Sequence, residues 1–286
     1  MTDTQLSGES SPAADDHDAA DGGFFNPIGA RLARLAGLRP GDRVLDLGCG
    51  RGAVLFAALA EVGPGGSVVG VDAAPGTVRA TGARAAGRGL RNVRVELGEA
   101  PALGFPAGSF DAVLSSFVLA LAPDPAAALA SVHRVLVPGG RFGCTAFGAD
   151  APGWERPGAA LDAFLSPHAL RLRHSGAGRH NALGRSPQEA AELLHAAGFT
   201  GVRCEEHQAV SHYPDAAAWW RAMSLPPAED RGKGAAGGWR AALDAVPAAR
   251  LDEARQAALA ELAGLAAPDG SLVRRTTIRY ITASRV

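Results

Sequence analysis

Short apolar runs alternate along this chain with Ala-rich stretches of helical period, and that alternation predicts the architecture before any motif is considered. The runs Arg43–Leu47, Ser67–Val71, Val93–Leu97, Ala112–Ser116 and Gly140–Phe147 are short and rich in β-branched residues. Their apolar positions are consecutive rather than alternate, as in strands of a parallel sheet that helices cover on both faces. Ala53–Glu61, Gly76–Gly87 and Ala126–Leu136 fill the intervals as predicted helices. Ahead of them, Pro27–Gly37 has Pro in its first turn, apolar Ile28, Leu32, Leu35 and Ala36, and Gly37 as a stop, the pattern of a short amphipathic helix. Strand and helix in turn predict a doubly wound α/β, Rossmann-like domain.

A further helix starts at Ser186-Pro187-Gln188-Glu189, a capping box with Pro at the first helical position, and Gly198 closes it. Strand-like Thr200–Val210 follows, and Leu272–Ala283, after the turn Pro268-Asp269-Gly270, shows a weak two-residue period. With these the expected sheet has seven strands, mostly parallel. Two stretches break the alternation. Residues 148–185 are rich in Gly, Pro, His and Arg, and residues 211–267 carry Trp219, Trp220 and Trp239 before an amphipathic helix from about Ala248 to Ala266. Both follow C-terminal ends of strands, the edge where open α/β sheets take ligands, so a helical lid is expected there. Residues 1–21, Ser, Ala and Asp with hardly a large apolar side chain, predict a disordered tail before a single domain spanning 22–286.

Composition narrows the partners. The chain of 286 residues is 47% hydrophobic and 20% charged, with a formal charge of −1. No basic excess exists to neutralise a polyphosphate backbone, which disfavours nucleic acid, and Arg171, Arg173 and Arg179 read as an ordinary solvated loop. Cys49, Cys144 and Cys204 are widely separated, an odd number without zinc spacing, so neither a metal nor a disulfide framework is expected. The N-terminus lacks a signal pattern and no apolar run is long enough to span a bilayer, so a cytoplasmic protein, monomeric or homodimeric, is expected.

The candidate chemistry sits in Asp46-Leu47-Gly48-Cys49-Gly50-Arg51-Gly52, between the first strand and the helix that follows. Glycines there allow a tight turn and let a ligand approach the backbone. Taken alone, the turn leaves a nicotinamide site open, because Gly48, Gly50 and Ala53 satisfy the dinucleotide fingerprint and Asp72 stands near the distance of a ribose carboxylate. Three features favour another cofactor. Asp46 immediately before the glycines is poorly placed for a diphosphate but suits an ammonium group. Strand two ends in VVGVD, presenting Asp72 to a ribose. Gly98-Glu99-Ala100 follows strand three, and Ser109-Phe110-Asp111 opens strand four.

With Arg134-Val135-Leu136-Val137-Pro138-Gly139-Gly140 completing the series, the sequence resembles the class I S-adenosylmethionine-dependent methyltransferases, in particular their ubiquinone/menaquinone-type and natural-product subgroup. The resemblance runs from about Phe24 to Phe147 and returns at the capped helix and last strands. It implies that Asp46, Gly48, Cys49, Gly50 and Gly52 surround the methionine part of the cofactor and that Asp72 holds the ribose. It further implies that Ala73 packs on the adenine, Glu99 faces its amino group with Ala100 offering an amide, Ser115 and Ser116 line the methyl-donor side, and Phe24 closes over the site. Arg51 stands where the family has a small or hydroxyl residue, and Glu99 replaces the commoner Asp.

The implied activity is methyl transfer from S-adenosylmethionine to a small, largely apolar metabolite of polyketide, quinone or terpenoid type, with oxygen as the favoured acceptor atom. Phe25, Trp154, Trp219 and Trp220 are candidate acceptor-pocket walls. The sulfonium activates its own methyl group, so no catalytic side chain is required, and none is assigned. His168, His174, His180, His207, His212 and Tyr213 are the available bases, each more readily explained as an ordinary loop residue. An S-adenosylmethionine-binding cyclase or isomerase, and an NAD-dependent oxidoreductase, are the alternatives.

Overall fold

The computed structural model describes residues 23–174, 182–224 and 239–286, so the tail at 1–21, Arg179 and His180 lie outside the described residues. Seven strands form one sheet: β1 (Arg43–Leu47), β2 (Ser67–Asp72), β3 (Val93–Leu97), β4 (Phe110–Ser116), β5 (Leu136–Asp150), β6 (Phe199–Tyr213) and β7 (Leu272–Arg285). Their order is β3-β2-β1-β4-β5-β7-β6. Neighbours are parallel except that β7 runs antiparallel to both β5 and β6. The order reverses at β1, where the chain steps first outward to β2 and later back to β4. Doubly wound sheets open a crevice at such a point.

Helices cover both faces. On one side α1 (Phe25–Leu35) and α2 (Ala53–Val62) bury Ile28, Leu32, Val54, Leu55 and Ala58 against Val44, Val68, Leu114 and Tyr280. A Cβ on Gly29 would lie 2.5 Å from the Ala53 carbonyl oxygen, so only glycine lets these two helices touch backbone to backbone. Between β2 and β3 runs α3 (Pro75–Gly87), and the short α4 (Val118–Leu121) follows β4. On the other side α5 (Pro125–Val135) packs Leu129 and Val132 against Val113 and Phe142. Asp124 caps α5 by accepting from the Ala127 amide at 2.9 Å.

The stretch after β5 contains α6 (Arg156–Asp162), α7 (Pro167–His174) and α8 (Ala182–Arg185), and leads to α9 (Pro187–Ala196). As its sequence predicts, Ser186 caps α9, accepting from the Glu189 amide at 3.1 Å. Between β6 and β7 lie α10 (Ala216–Ser224), α11 (Trp239–Ala245) and α12 (Leu251–Leu262). Helices α6, α10, α11 and α12 share a third apolar cluster of their own, separate from the two that line the sheet.

Several boundaries differ from the sequence pattern. β5 begins at Leu136, and Pro138–Gly140 is carried inside it as an irregularity between the Phe110–Leu136 and Ala112–Arg141 pairings. The expected helix from Ala248 to Ala266 is a single 3₁₀ turn at Ala248–Arg250 followed by α12, because Arg250, at φ −113° and ψ 4°, interrupts the helical run. α1 starts before Pro27, which a first helical turn accepts at no cost in hydrogen bonds.

Candidate active site

β1 ends with Asp46 and Leu47 at the sheet's C-terminal edge, and Gly48–Gly52 turns the chain into α2. Gly48, Gly50 and Gly52 have φ of 74°, 50° and 89°, the left-handed region that side chains resist. At Gly48 the requirement is double, since a Cβ would come within 2.1 Å of the Val118 methyl. The turn is pinned from β2: the Gly48 and Cys49 amides donate to the Val71 carbonyl at 2.7 and 2.9 Å. Asp72 adds two bonds, one oxygen accepting from the Gly50 amide at 2.9 Å and the other from Ala74 at 3.0 Å. Thr81 on α3 donates to the Gly50 carbonyl at 2.6 Å. The loop is therefore braced before any ligand arrives.

Inside this braced turn Asp46 is anomalous. It is 1% exposed, and among the described residues neither carboxylate oxygen has a hydrogen-bond partner. Burial pushes its carboxyl up to about 8, assisted by the negative charge of Asp72 and opposed by the Leu55 backbone amide, which lies nearby but outside hydrogen-bonding geometry. The neighbouring Cys49 thiol is raised well above its ordinary range, chiefly by burial. Buried carboxylates without partners are costly, and native structures seldom keep one without a reason.

Along the same edge, β3 stays close to β2, with the Gly98 amide donating to the Asp72 carbonyl at 3.1 Å. Ala73 and Glu99 are exposed beside it and Ala100 is half-buried. Leu97 faces Asp72 in the strand register and leaves an apolar side chain open to solvent, a feature the sequence pattern did not single out. At the end of β4, Ser115 is fully buried and donates to the Leu47 carbonyl at 2.9 Å, which makes it a brace between β1 and β4. Ser116 shares a 2.9 Å hydroxyl–hydroxyl bond with Thr145.

Next comes Phe117, the one non-glycine residue with positive φ among the described residues, at 65°. Its amide is held by the Thr145 carbonyl at 3.1 Å and the Thr145 hydroxyl at 3.2 Å. Its ring stacks on Phe147 with centroids 4.1 Å apart, and Phe24 lies nearly parallel to Phe147 at 6.3 Å. Phe25 stands edge-on to both Phe24 and Phe117 and is 41% exposed. Four aromatic rings thus meet beside the glycine-rich turn, and sequence reasoning found only the first two. Phe117 and Phe147 lie far apart in sequence and meet through the β4–β5 register, which no local pattern reveals.

Residues 38–160 match a family model described as a methyltransferase domain. Over 197 residues the chain is 46% identical to nocamycin O-methyltransferase of Saccharothrix syringae, covering 65% of this chain and 69% of that protein. The chain belongs to the class I S-adenosylmethionine-dependent methyltransferases. It is also 45% identical over 122 residues to aklanonic acid methyltransferase of a Streptomyces species, covering 43% of this chain and 56% of that protein. Among solved structures, the YcgJ protein of Bacillus subtilis shares the fold with a TM-score of 0.58 at 20% identity, over 91% of this chain and 98% of that one. The [4+2]-cyclase SpnF does so with a TM-score of 0.54 at 21% identity, over 97% and 85%.

The other candidate residues of the methyltransferase lie away from the turn. Trp154, Trp219 and Trp220 are buried in the third apolar cluster, where they pack on one another and on Trp239. Their observed surroundings are the core of the helical inserts. His168, His207 and His212 are exposed, and Tyr213 is half-buried against that same cluster. His207 shares a cross-strand row with Ile278 and Phe147. Among the described residues no three His, Cys, Asp or Glu side chains gather as a metal site, and no helix is long and apolar enough to cross a membrane. A cavity of about 430 Å³, lined by Arg43, Arg91, Arg94 and Phe110 among others, opens at the strands' N-terminal ends, far from the turn.

Proposed function

We propose that this methyltransferase moves the methyl group of S-adenosylmethionine to an oxygen of a polyketide-type metabolite. The single observation carrying the cofactor assignment is Asp46: a buried carboxylate with no partner, next to three left-handed glycines, is complementary to an ammonium beside a backbone that must be approached closely. In this reading Asp46 takes the amino group of the methionine portion, with Gly48, Cys49, Gly50 and Gly52 around it. Asp72 holds the ribose with the lone pairs its two backbone amides leave free. Ala73 packs on the adenine, Glu99 meets its amino group, and Ala100 offers its backbone amide.

When bound, the cofactor supplies an electrophilic methyl group on a sulfonium whose leaving group is a neutral thioether. The chain's own contribution is then placement and dryness. Phe24 closes over the donor, Phe25, Phe117 and Phe147 offer flat apolar surface to an acceptor ring, and Ser116 with Thr145 offers a hydroxyl pair at its edge. Alignment of this kind is worth about 7–11 kcal/mol of barrier. The helical inserts act as a lid on a single domain spanning residues 22–286. Support for the acceptor class comes from the relatives named for nocamycin and aklanonic acid and from the four-phenylalanine group.

The test is to incubate the protein with S-adenosylmethionine and a hydroxylated polyketide such as aklanonic acid, following S-adenosylhomocysteine and the methylated product together by mass spectrometry. The proposal expects both to rise in step. Conversion of the polyketide without S-adenosylhomocysteine would mean that no methyl transfer occurs.

A further inference from the structure

All four tryptophans of the chain, Trp154, Trp219, Trp220 and Trp239, meet in the apolar cluster of the helical inserts. Trp219, on α10, is 2% exposed, and Trp239 begins α11. Their rings meet edge-to-face with centroids 4.8 Å apart. Both indole nitrogens are buried, and among the described residues neither has a hydrogen-bond partner. An indole N–H is only a donor, and its buried neighbours here, Leu161, Leu243, Val246 and Leu262, have no side-chain acceptor to offer. Buried donors are nearly always satisfied in native proteins, and tryptophan in particular finds a partner when it is buried. The two indoles are in contact and come from two helices, so their unsatisfied donors sit together.

The cluster stands on the sheet edge that carries the phenylalanine group. β5 runs from Phe147 to Asp150, where Asp150 accepts from Thr276 at 2.7 Å and pairs with Arg274 at 2.7 Å. The Arg274 guanidinium lies 5.7 Å from the centre of the Trp154 ring. One strand therefore joins the two aromatic groups.

We propose that Trp219 and Trp239 form a polar subsite whose indole N–H groups donate to ring-borne oxygens of the acceptor, carbonyl or phenolic, when it lies between the helical cluster and the phenylalanine group. The inference rests on the acceptor side described under the proposed function. It makes the preferred acceptor a planar polycycle carrying oxygen some distance from the methylated position, and it makes both tryptophans specificity residues.

The probe is 1,8-dihydroxyanthraquinone, titrated into the protein saturated with S-adenosylhomocysteine while tryptophan emission is followed. Because every tryptophan belongs to the cluster, emission reads quinone binding from this region, and the variants below localise it. Trp219→Phe and Trp239→Phe keep an aromatic ring and remove the N–H. Replacement of either indole by benzothiophene, through incorporation of 3-benzothienylalanine, keeps ring shape as well and guards against a packing defect. The expected result is quinone affinity weakened about tenfold in each variant, as for loss of one hydrogen bond, with S-adenosylhomocysteine affinity and thermal midpoint unchanged. Equal quinone affinity in wild type and the benzothiophene variants would overturn the subsite, and so would a wild type that binds S-adenosylhomocysteine but not the quinone. Failure to bind S-adenosylhomocysteine would instead remove the cofactor reading beneath it.

Discussion

In the proposed reading, Asp46 concentrates the cofactor chemistry of this protein into one side chain. Its carboxyl titrates near 8 in the folded protein, far above the ordinary carboxylate range, because burial penalises the charge. The folded protein therefore holds a proton that the unfolded chain has already released, and stability declines as pH rises from the ordinary carboxylate range to about 8. Denaturant midpoints measured across that window should fall for the wild type, and Asp46→Asn should lack this fall. Cofactor affinity runs the opposite way, since an ammonium favours the ionised form. It should climb by up to about tenfold per pH unit towards about pH 8 and fall beyond it, where the cofactor's own amino group, at about 7.7–8.0, loses its proton, and calorimetry at a series of pH values checks this. Asp72 behaves differently because both of its oxygens already hold backbone amides. Asp72→Ala should weaken S-adenosylmethionine at least about tenfold while the far-ultraviolet circular dichroism stays native, at a stability cost of about 1.5–3 kcal/mol for the lost charged bonds. Both carboxylates were legible in the sequence from their position at strand ends. Ser115 was not, because its donation to Leu47 depends on the β1–β4 register.

At the scale of elements, alternation of apolar and Ala-rich stretches sufficed to place the first five strands and the main helices between them. A capping box and a turn signal led to the last two strands, while the short helices of the inserts carried no such local signal. Boundaries and partners needed more than periodicity. β5 absorbs Pro138–Gly140 through a pairing irregularity, and Arg279, buried in β7, is satisfied by Glu206 on β6 and the Gly184 carbonyl in α8. Neither arrangement is written in any short segment. Close approach between elements is equally invisible until the helices are docked. Gly29 is the clearest case, and Gly29→Ala should push α1 away from α2 at a cost of about 1–3 kcal/mol, read as a lower thermal midpoint. Gly48→Ala meets both the Val118 methyl and an unfavourable φ of 74°, so it should lose about 2–4 kcal/mol and abolish detectable cofactor binding in the same calorimeter.

For the whole molecule, the division of labour lies between a sheet edge braced by its own hydrogen bonds and a helical cluster with its own core. Breaks in the alternation after strand ends pointed to the inserts, and the structure gathers the tryptophans they carry, named from the sequence as candidate pocket walls, into one cluster. A run of aromatic residues in sequence does not say which of two neighbouring apolar groups it will join. The half-buried pair of Arg274 with Asp150 ties the two parts together. Arg274→Met should lower stability by about 1 kcal/mol and raise the acceptor KM while leaving cofactor affinity unchanged, a split that steady-state kinetics beside calorimetry would resolve. The most direct test of the whole account is a calorimetric titration at about pH 8 of wild type and Asp46→Asn, with S-adenosylmethionine and, in parallel, NAD. The account predicts S-adenosylmethionine binding to wild type, at least about tenfold weaker binding to Asp46→Asn, and no heat from NAD. Equal affinity in the two proteins, or binding of NAD alone, would contradict it.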